Sequence, residues 1–433
     1  MFKTLQNAFK IKDIRTKIFY TFLMLIVVRI GSQLPIPGVN RDYFSQWFSQ
    51  QTGDAFSFFN AVTGGSFIEM SVFALNITPY ITSSIIMQLL TIVIPKLEEM
   101  QKDGEDGRKK IASITRYVTV VLALIQSTAM AVGFGNKGLL QDFNVLNVLT
   151  VIVALTAGSA MLMWIGERIT ENGVGNGISI VLLINIVSRI PSDLATLFET
   201  FVKGKAIAYA ILAILIIVAV IILTTVLTVL LQGGERKISV QYAKKMQGRK
   251  MVGGQLTHIP LKVNTAGVIP IIFASSLLQF PVVIASLLGK SGSEWVKYLS
   301  SSNWCDPKNL KYSIGLLVYI ILVVFFAYFY TSITFNPLEV ANNLKKQGGF
   351  IPGIRPGTPT SDYLTKILNN IIFIGAVGLI IVAVIPIFFN GVFNAQVTFG
   401  GTSLIIIVGV VLETMKQIES QMLVRYYKGF LND

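Results

Sequence analysis

The chain of 433 residues contains one cysteine, Cys305, and one histidine, His258. A lone cysteine closes no intrachain disulfide, and one Cys with one His does not make a zinc cluster. Structural metal sites of the usual kind therefore lack ligands, although carboxylate-bound ions stay open. Charge is scarce too, at 13% of residues against 53% hydrophobic, where soluble domains carry about 25% charged residues. A single soluble core of this length would exceed the size at which chains divide into domains, and no linker-like stretch divides it. These absences leave a polytopic membrane protein as the working class.

Ionisable residues are also missing where a pump would need them. No Asp, Glu, Lys or Arg occurs in 70–94, 118–136, 143–166, 174–188, 206–234, 263–289, 312–338 or 367–412. Proton-coupled carriers require such groups at midplane depth; a sodium site of carbonyls and hydroxyls remains open. Nucleotide motifs are near misses. Gly289-Lys290-Ser291 resembles the end of a P-loop, but the first Gly of that pattern falls on Ile284. Gly133-Phe134-Gly135-Asn136-Lys137-Gly138 fits G-x-G-x-x-G, yet it follows an apolar helix and not a strand. No cofactor and no catalytic activity are expected, and any ATP-driven step belongs to another protein.

What is abundant is apolar length. Runs able to cross about 30 Å of hydrocarbon lie near 18–34, 70–94, 114–134, 145–165, 176–190, 206–231, 265–288, 312–335, 367–389 and 402–424. The fifth is short and the tenth takes on Glu413, Lys416 and Glu419, so eight spans is the competing count. Ten is preferred because eight would leave very apolar stretches in water. Residues 1–17 carry Lys3, Lys10, Lys12, Arg15 and Lys17 with no cleavage site after them, and read as a cytoplasmic amphipathic segment. With ten spans and the N-terminus inside, inner segments hold 26 Lys and Arg and outer segments 9, with Arg29 inside the first span. That asymmetry places both ends, including the 425–433 tail, in the cytoplasm.

Five plus five spans invites a search for duplication. Pro79-Tyr80-Ile81-Thr82-Ser83-Ser84-Ile85-Ile86-Met87-Gln88 and Pro270-Ile271-Ile272-Phe273-Ala274-Ser275-Ser276-Leu277-Leu278-Gln279 share P-x-I-x-x-S-x-x-x-Q at an offset of 191 residues. Positions 77, 81, 84, 88 and 268, 272, 275, 279 recur at i, i+4, i+7, i+11, so each set forms one helical stripe that passes from apolar to polar. An odd number of spans per half inverts the second half relative to the first. The fold class expected is an all-α polytopic membrane protein with ten transmembrane helices in two inverted five-helix halves, 18–190 and 206–424.

After the first span, Leu34-Pro35-Ile36-Pro37-Gly38 is a rigid exit turn. The apolar stretch 55–62 is too short to cross and is stopped by Gly64-Gly65. It reads either as an amphipathic helix on the outer leaflet or as a movable plug in a pore. Inner loops 232–264 and 336–366 are long and basic, with shaped Pro and Gly turns. Orientation needs charge alone, so these loops are read as docking an acidic or phosphate-rich partner.

The motifs Ile36-Pro37-Gly38, Pro79-Tyr80-Ile81, Gly173-Val174-Gly175-Asn176-Gly177-Ile178-Ser179, Pro260-Leu261-Lys262-Val263-Asn264, Gly353-Ile354-Arg355-Pro356-Gly357 and Phe399-Gly400-Gly401-Thr402-Ser403-Leu404, in this order, resemble the SecY/Sec61-alpha family of protein-conducting channels. The resemblance runs from about residue 18 to 430. It implies a clamshell of two halves around an hourglass pore in the bacterial plasma membrane. It also implies an aliphatic ring of Ile77, Ile81, Ile178, Leu182, Ile272 and Ile406, with Leu182 replacing a common Ile. The plug would be about 55–67, including Phe58, Phe59, Asn60, Val62, Gly64 and Gly65. A lateral gate would lie between spans two and three and spans seven and eight, with Ser84, Gln88, Ser275 and Gln279 able to bond across it. Arg355 matches a loop arginine used by the SecA motor. Arg249 and Lys250 match a basic pair for ribosome docking through rRNA phosphates, with Lys250 lacking the fork of an Arg. Implied partners are SecE, SecG, SecA, the ribosome, the translocating polypeptide with its signal sequence, and lipid.

The physics suits that role. A ring of branched aliphatics constricts without binding side chains strongly, and it obstructs water and ions by dewetting. Sideways release of apolar segments would follow hydrophobicity of about −0.3 to −0.6 kcal/mol per Leu, Ile, Phe or Val. Two other readings compete. A sodium-coupled solute carrier needs a polar midplane site, and a non-transporting scaffold gives the 55–62 stretch no purpose.

Overall fold

The structure is a computed structural model that describes residues 2–42, 44, 46, 63–135, 138, 140, 142–242, 245–247, 250–252, 256–287, 293–300, 303–307, 309–393 and 401–429. Ten helices of sixteen or more residues occur among them: Lys12–Gly31, Thr78–Val93, Glu105–Phe134, Val145–Asn172, Gly177–Phe201, Ile207–Gly233, Ile269–Leu287, Ile314–Thr334, Thr358–Phe393 and Gly401–Gly429. Each overlaps one expected apolar run. Six helical stretches are long and apolar enough to cross a membrane by length and composition, with a seventh if Thr78–Val93 and Pro95–Gln101, bent by 107°, count as one span.

The boundaries differ from expectation for local reasons. Residues 64–77 are turns, not helix, because Met70 and Asn76 take left-handed backbone, φ 44° and 51°. The following helix ends where Ile94 becomes extended ahead of Pro95. The fifth apolar run ends at Ile190, yet the helix continues through Pro191 to Phe201. The fourth and ninth helices extend past their apolar runs, to Asn172 and back to Thr358.

Two compact units divide the chain. The first comprises Met1–Thr196, Val282–Val296 and Glu413–Asp433, and the second Leu197–Pro281 and Lys297–Leu412. In the first, Ile36, Phe44, Phe67, Met70, Phe134 and Leu155 belong to one buried cluster. Phe44 meets Phe67 and Phe134 edge-on, at centroid distances of 5.9 and 5.5 Å. Ala8, Ile14, Ile18, Val174, Met415 and Ile418 form another cluster, which ties both ends of the chain into this unit.

The second unit has its core on Ile271, Ala274, Tyr319, Val323, Leu379 and Ile405. Its Ile207–Gly233 helix buries only a narrow face, at Ala213, Thr224, Thr228 and Leu231. Leu212, Leu215, Ile222, Leu223 and Leu230 are exposed. In water so large an apolar surface would drive association; in hydrocarbon it is the surface required. The buried hydroxyls bond back within the helix, Thr224 to the Val220 carbonyl at 2.8 Å and Thr228 to that of Thr224 at 2.7 Å.

The basic loops hold strands that their composition does not suggest. Strands β1 (Glu235–Tyr242), β2 (Lys245–Gln247), β3 (Lys250–Val252), β4 (Leu256–Lys262) and β5 (Gly349–Phe350) form two small sheets, β4-β1-β5 and β2-β3. β1 pairs antiparallel with β4 from Glu235↔Lys262 to Gln241↔Leu256, and β5 joins at Gln241↔Phe350. Ile238 and Val240 of β1 point inward, into a cluster with Leu344, Ile351, Leu364 and Ile367. The β4-β1-β5 sheet therefore joins the two basic loops in one folded platform, with β2-β3 a separate hairpin.

Candidate functional site

In the first unit, the aliphatic stripe begins at a built corner. Asn76 is buried, and its left-handed backbone lets Oδ1 accept the Ile77 N–H at 2.8 Å. The Asn76 carbonyl accepts from Ser159 Oγ at 3.1 Å, fixing the corner to the Val145–Asn172 helix. Pro79, in the first turn, needs no N–H partner there. Ile77 is 1% exposed and Ile81 half-buried. Further along, Ser84 is half-buried and Gln88 exposed, while the neighbouring Ser83 Oγ donates to the Thr115 carbonyl at 2.8 Å.

Ile178 and Leu182 follow a tight reversal. Thr21 Oγ1 accepts the Val174 N–H at 3.1 Å, Thr170 Oγ1 accepts that of Gly177 at 2.9 Å, and Asn176 Oδ1 accepts from Ile178 at 3.1 Å. A Cβ on Gly177 would lie 1.9 Å from the Gly166 carbonyl oxygen, so only glycine lets the two helices approach this closely. The motif 173–179 is thus a capped hairpin of helices that sets where Ile178, half-buried, and Leu182, 8% exposed, project.

Of the expected plug residues, Phe58, Phe59, Asn60 and Val62 lie outside the described residues. Gly64 and Gly65 are described, with φ of 66° and 89°. The segment that follows them is strapped down. Its Val72 N–H donates to the Leu34 carbonyl at 2.9 Å, and the Ile36 N–H donates to the Met70 carbonyl at 3.3 Å. Pro35 and Ser71 form an antiparallel bridge, and Arg41 pairs with Glu69. The segment around the Ile36-Pro37-Gly38 motif therefore holds residues 69–72, downstream of the two glycines.

In the second unit, Ile272 lies in the first turn of the repeat-related helix, its N–H donating to the Val268 carbonyl at 3.2 Å. Ile272 and Ser275 are half-buried, and Gln279 lies on the same helix. Ile406 is 4% exposed on the Gly401–Gly429 helix. Asn264 Nδ2 donates to the Gly267 carbonyl at 2.9 Å, closing the turn from β4 into the repeat helix.

The basic platform exposes Arg355. Its loop is set by Ile354 N–H donating to the Ile351 carbonyl at 3.0 Å and Thr360 Oγ1 donating to the Arg355 carbonyl at 2.8 Å. The backbone is held and the guanidinium is left to solvent. Lys250 lies on β3, paired with Gln247; Arg249 lies outside the described residues.

One pair is not among the residues that the motifs single out. Asn185 and Arg189 continue the Ile178, Leu182 stripe at i+7 and i+11, the same interval that links Ile77 to Ser84 and Gln88. That interval, applied to the fifth span, is the signal that finds them.

The family model described as SecY matches residues 71–415. The protein translocase subunit SecY of Halalkalibacterium halodurans is 47% identical over 438 residues, with 100% of both chains covered. That of Bacillus subtilis is 44% identical over 454 residues, again with 100% of both covered. Among solved structures, one described as a protein conducting channel superposes with a TM-score of 0.65 at 18% identity, over 94% of this chain and 93% of the other. Sec61 from a canine ribosome-channel complex superposes at 0.62 and 17% identity, over 94% and 93%. At these identities the structural likeness concerns the fold.

Proposed function

The chain belongs to the SecY family, and from that membership we propose that it is the channel subunit through which unfolded secretory polypeptides cross the bacterial plasma membrane. Signal sequences and transmembrane segments leave it sideways into lipid through a lateral gate. The observation that carries this reading is an uncharged aliphatic stripe that recurs in sequence and turns polar after two helical turns: Ile77 and Ile81 before Ser84 and Gln88, Val268 and Ile272 before Ser275 and Gln279. A constriction for any sequence has to be apolar, narrow and without groups that hold a side chain.

In this reading Ile77, Ile81, Ile178, Leu182, Ile272 and Ile406 supply the ring, and residues 55–67 supply the plug. Ser84, Gln88, Ser275 and Gln279 contribute bonds to the gate. SecE and SecG are the small membrane partners. SecA and the ribosome engage the basic loops, where Arg355 is presented on a braced loop and Lys250 lies on β3, with Arg249 beside it in sequence. Both termini face the cytoplasm, as the 26 to 9 partition of Lys and Arg favours.

Vesicles reconstituted with the full chain and its small partners test the function. Precursor uptake that requires an added motor ATPase is the expected result; solute flux on a sodium gradient without precursor uptake would establish the carrier reading instead. Arg355→Glu should abolish motor-driven uptake while the channel still assembles. Undiminished uptake by that variant would remove Arg355 from the docking role.

A further inference from the structure

The Asn185 and Arg189 side chains lie where the Thr63–Ser66 turn meets the Gly177–Phe201 helix. A Cβ on Gly64 would fall 2.8 Å from the Asn185 carbonyl oxygen, and one on Gly65 would fall 3.2 Å from Arg189 Nη1. Thr63 is 1% exposed and Ser66 is 2% exposed. Two glycines, both with left-handed backbone, thus let a turn of chain rest directly on this helix face.

That face is polar and unspent. Asn185 is 2% exposed, and among the described residues its Oδ1 accepts no hydrogen bond and the buried Arg189 Nε donates none. Buried groups of this kind are rarely left unpaired. One vacant acceptor and one vacant donor, a helical turn apart, complement the N–H and C=O of a peptide backbone. The adjacent backbone is that of the glycine turn. Because the strap at Leu34, Ile36, Met70 and Val72 holds the chain just downstream, small shifts of the turn are confined to the reach of these two side chains.

We infer that Asn185 and Arg189 are positioning residues, a polar latch that captures the peptide groups of the Thr63–Ser66 turn and so sets the rest position of that turn. The vacant donor and acceptor belong to one of the turn's settings, and pairing with its peptide groups belongs to another. The transport consequences rest on the channel reading above; the contact itself does not.

Hydrogen exchange on the full chain in lipid nanodiscs separates the two. In Asn185→Leu and Arg189→Ala the amides of Glu69, Met70 and Ser71, bonded at 3.1–3.2 Å within this segment, should exchange roughly tenfold faster. The Val174 and Gly177 amides should keep their protection, which also reports that the variants fold. Arg189→Leu, which fills much of the same space without a donor, supplies the same measurement if the alanine variant does not assemble. Unchanged exchange at residues 69–71 overturns the latch. In vesicles the same variants should raise ion leak in the absence of precursor and accept precursors with defective signal sequences. Faster exchange with neither transport change would make the contact merely structural and overturn the positioning role. Failure of wild-type vesicles to take up any precursor would count against the channel reading and leave the exchange result standing.

Discussion

Asn76 and Gly267 occupy the same place in the two halves of the repeat, 191 residues apart, and both have left-handed backbone, φ 51° and 64°. Each sits one residue before its stripe. The duplication thus extends beyond the shared Pro, Ile, Ser and Gln to the backbone turn that starts each helix. The two halves meet the same geometric demand by opposite chemistry. Gly267 lacks a Cβ, and a Cβ added there would meet nothing within 4 Å. Asn76 tolerates the strained backbone because its own side chain caps the Ile77 N–H and its carbonyl is held by Ser159. One corner is permissive and the other is braced.

Valine at both corners should separate them most. Asn76→Val adds a left-handed penalty of about 1–2 kcal/mol to an unpaired buried N–H worth about 1–3 kcal/mol. An overall loss of about 3 kcal/mol is expected, read as the unfolding midpoint in an SDS titration. Gly267→Val adds only the backbone penalty of about 1–2 kcal/mol, because the site has room. Equal losses at the two positions would mean that the brace at Asn76 contributes nothing.

Exchanging the two solutions gives a smaller effect and a sharper comparison. Asn76→Gly removes the cap but relieves the strain, so about 1 kcal/mol should be lost. Gly267→Asn places a residue that tolerates left-handed backbone into open space, and should fall within about 0.5 kcal/mol of wild type. If Gly267→Asn proved as costly as its valine counterpart, room at that corner would not be what distinguishes it.

The same contrast explains which features are legible in the amino-acid sequence. Apolar length locates ten helices, because a chain avoiding water in lipid cannot hide its spans, and the 191-residue offset exposes the repeat through side chains with strong rotational register. The left-handed corner at Asn76 is not legible: Asn does not announce φ as Gly does, and residues 70–77 look like the start of a helix by apolarity alone. The platform strands are hidden because Ile238 and Val240 are only two inward residues in a basic stretch, too few for an alternating pattern to stand out. Asn185 and Arg189 are hidden because they lie toward the end of a short apolar run and belong to no motif, whereas the helix continues past them through Pro191 to Phe201. The positions proposed for the ring follow from family motifs, and the structure gives each a local setting within its own unit.

The smallest expected effect concerns the polar ends of the two stripes, where the halves resemble each other most. Ser84 and Ser275 are both half-buried, and both follow their stripe isoleucine by three residues. The gate bonds proposed for these side chains would contribute about 0.6 kcal/mol each in a membrane, so alanine at Ser84, Gln88, Ser275 and Gln279 together should leave the fold intact. The effect should appear instead as relaxed signal-sequence stringency and raised ion leak, since weak bonds distributed along a seam bias an opening equilibrium without locking it. Alanine at the Ser84 and Gln88 pair alone should give about as much relaxation as alanine at the Ser275 and Gln279 pair alone. A response from only one pair would show that the duplicated pattern is used asymmetrically, and no response from all four would remove these side chains from the gate.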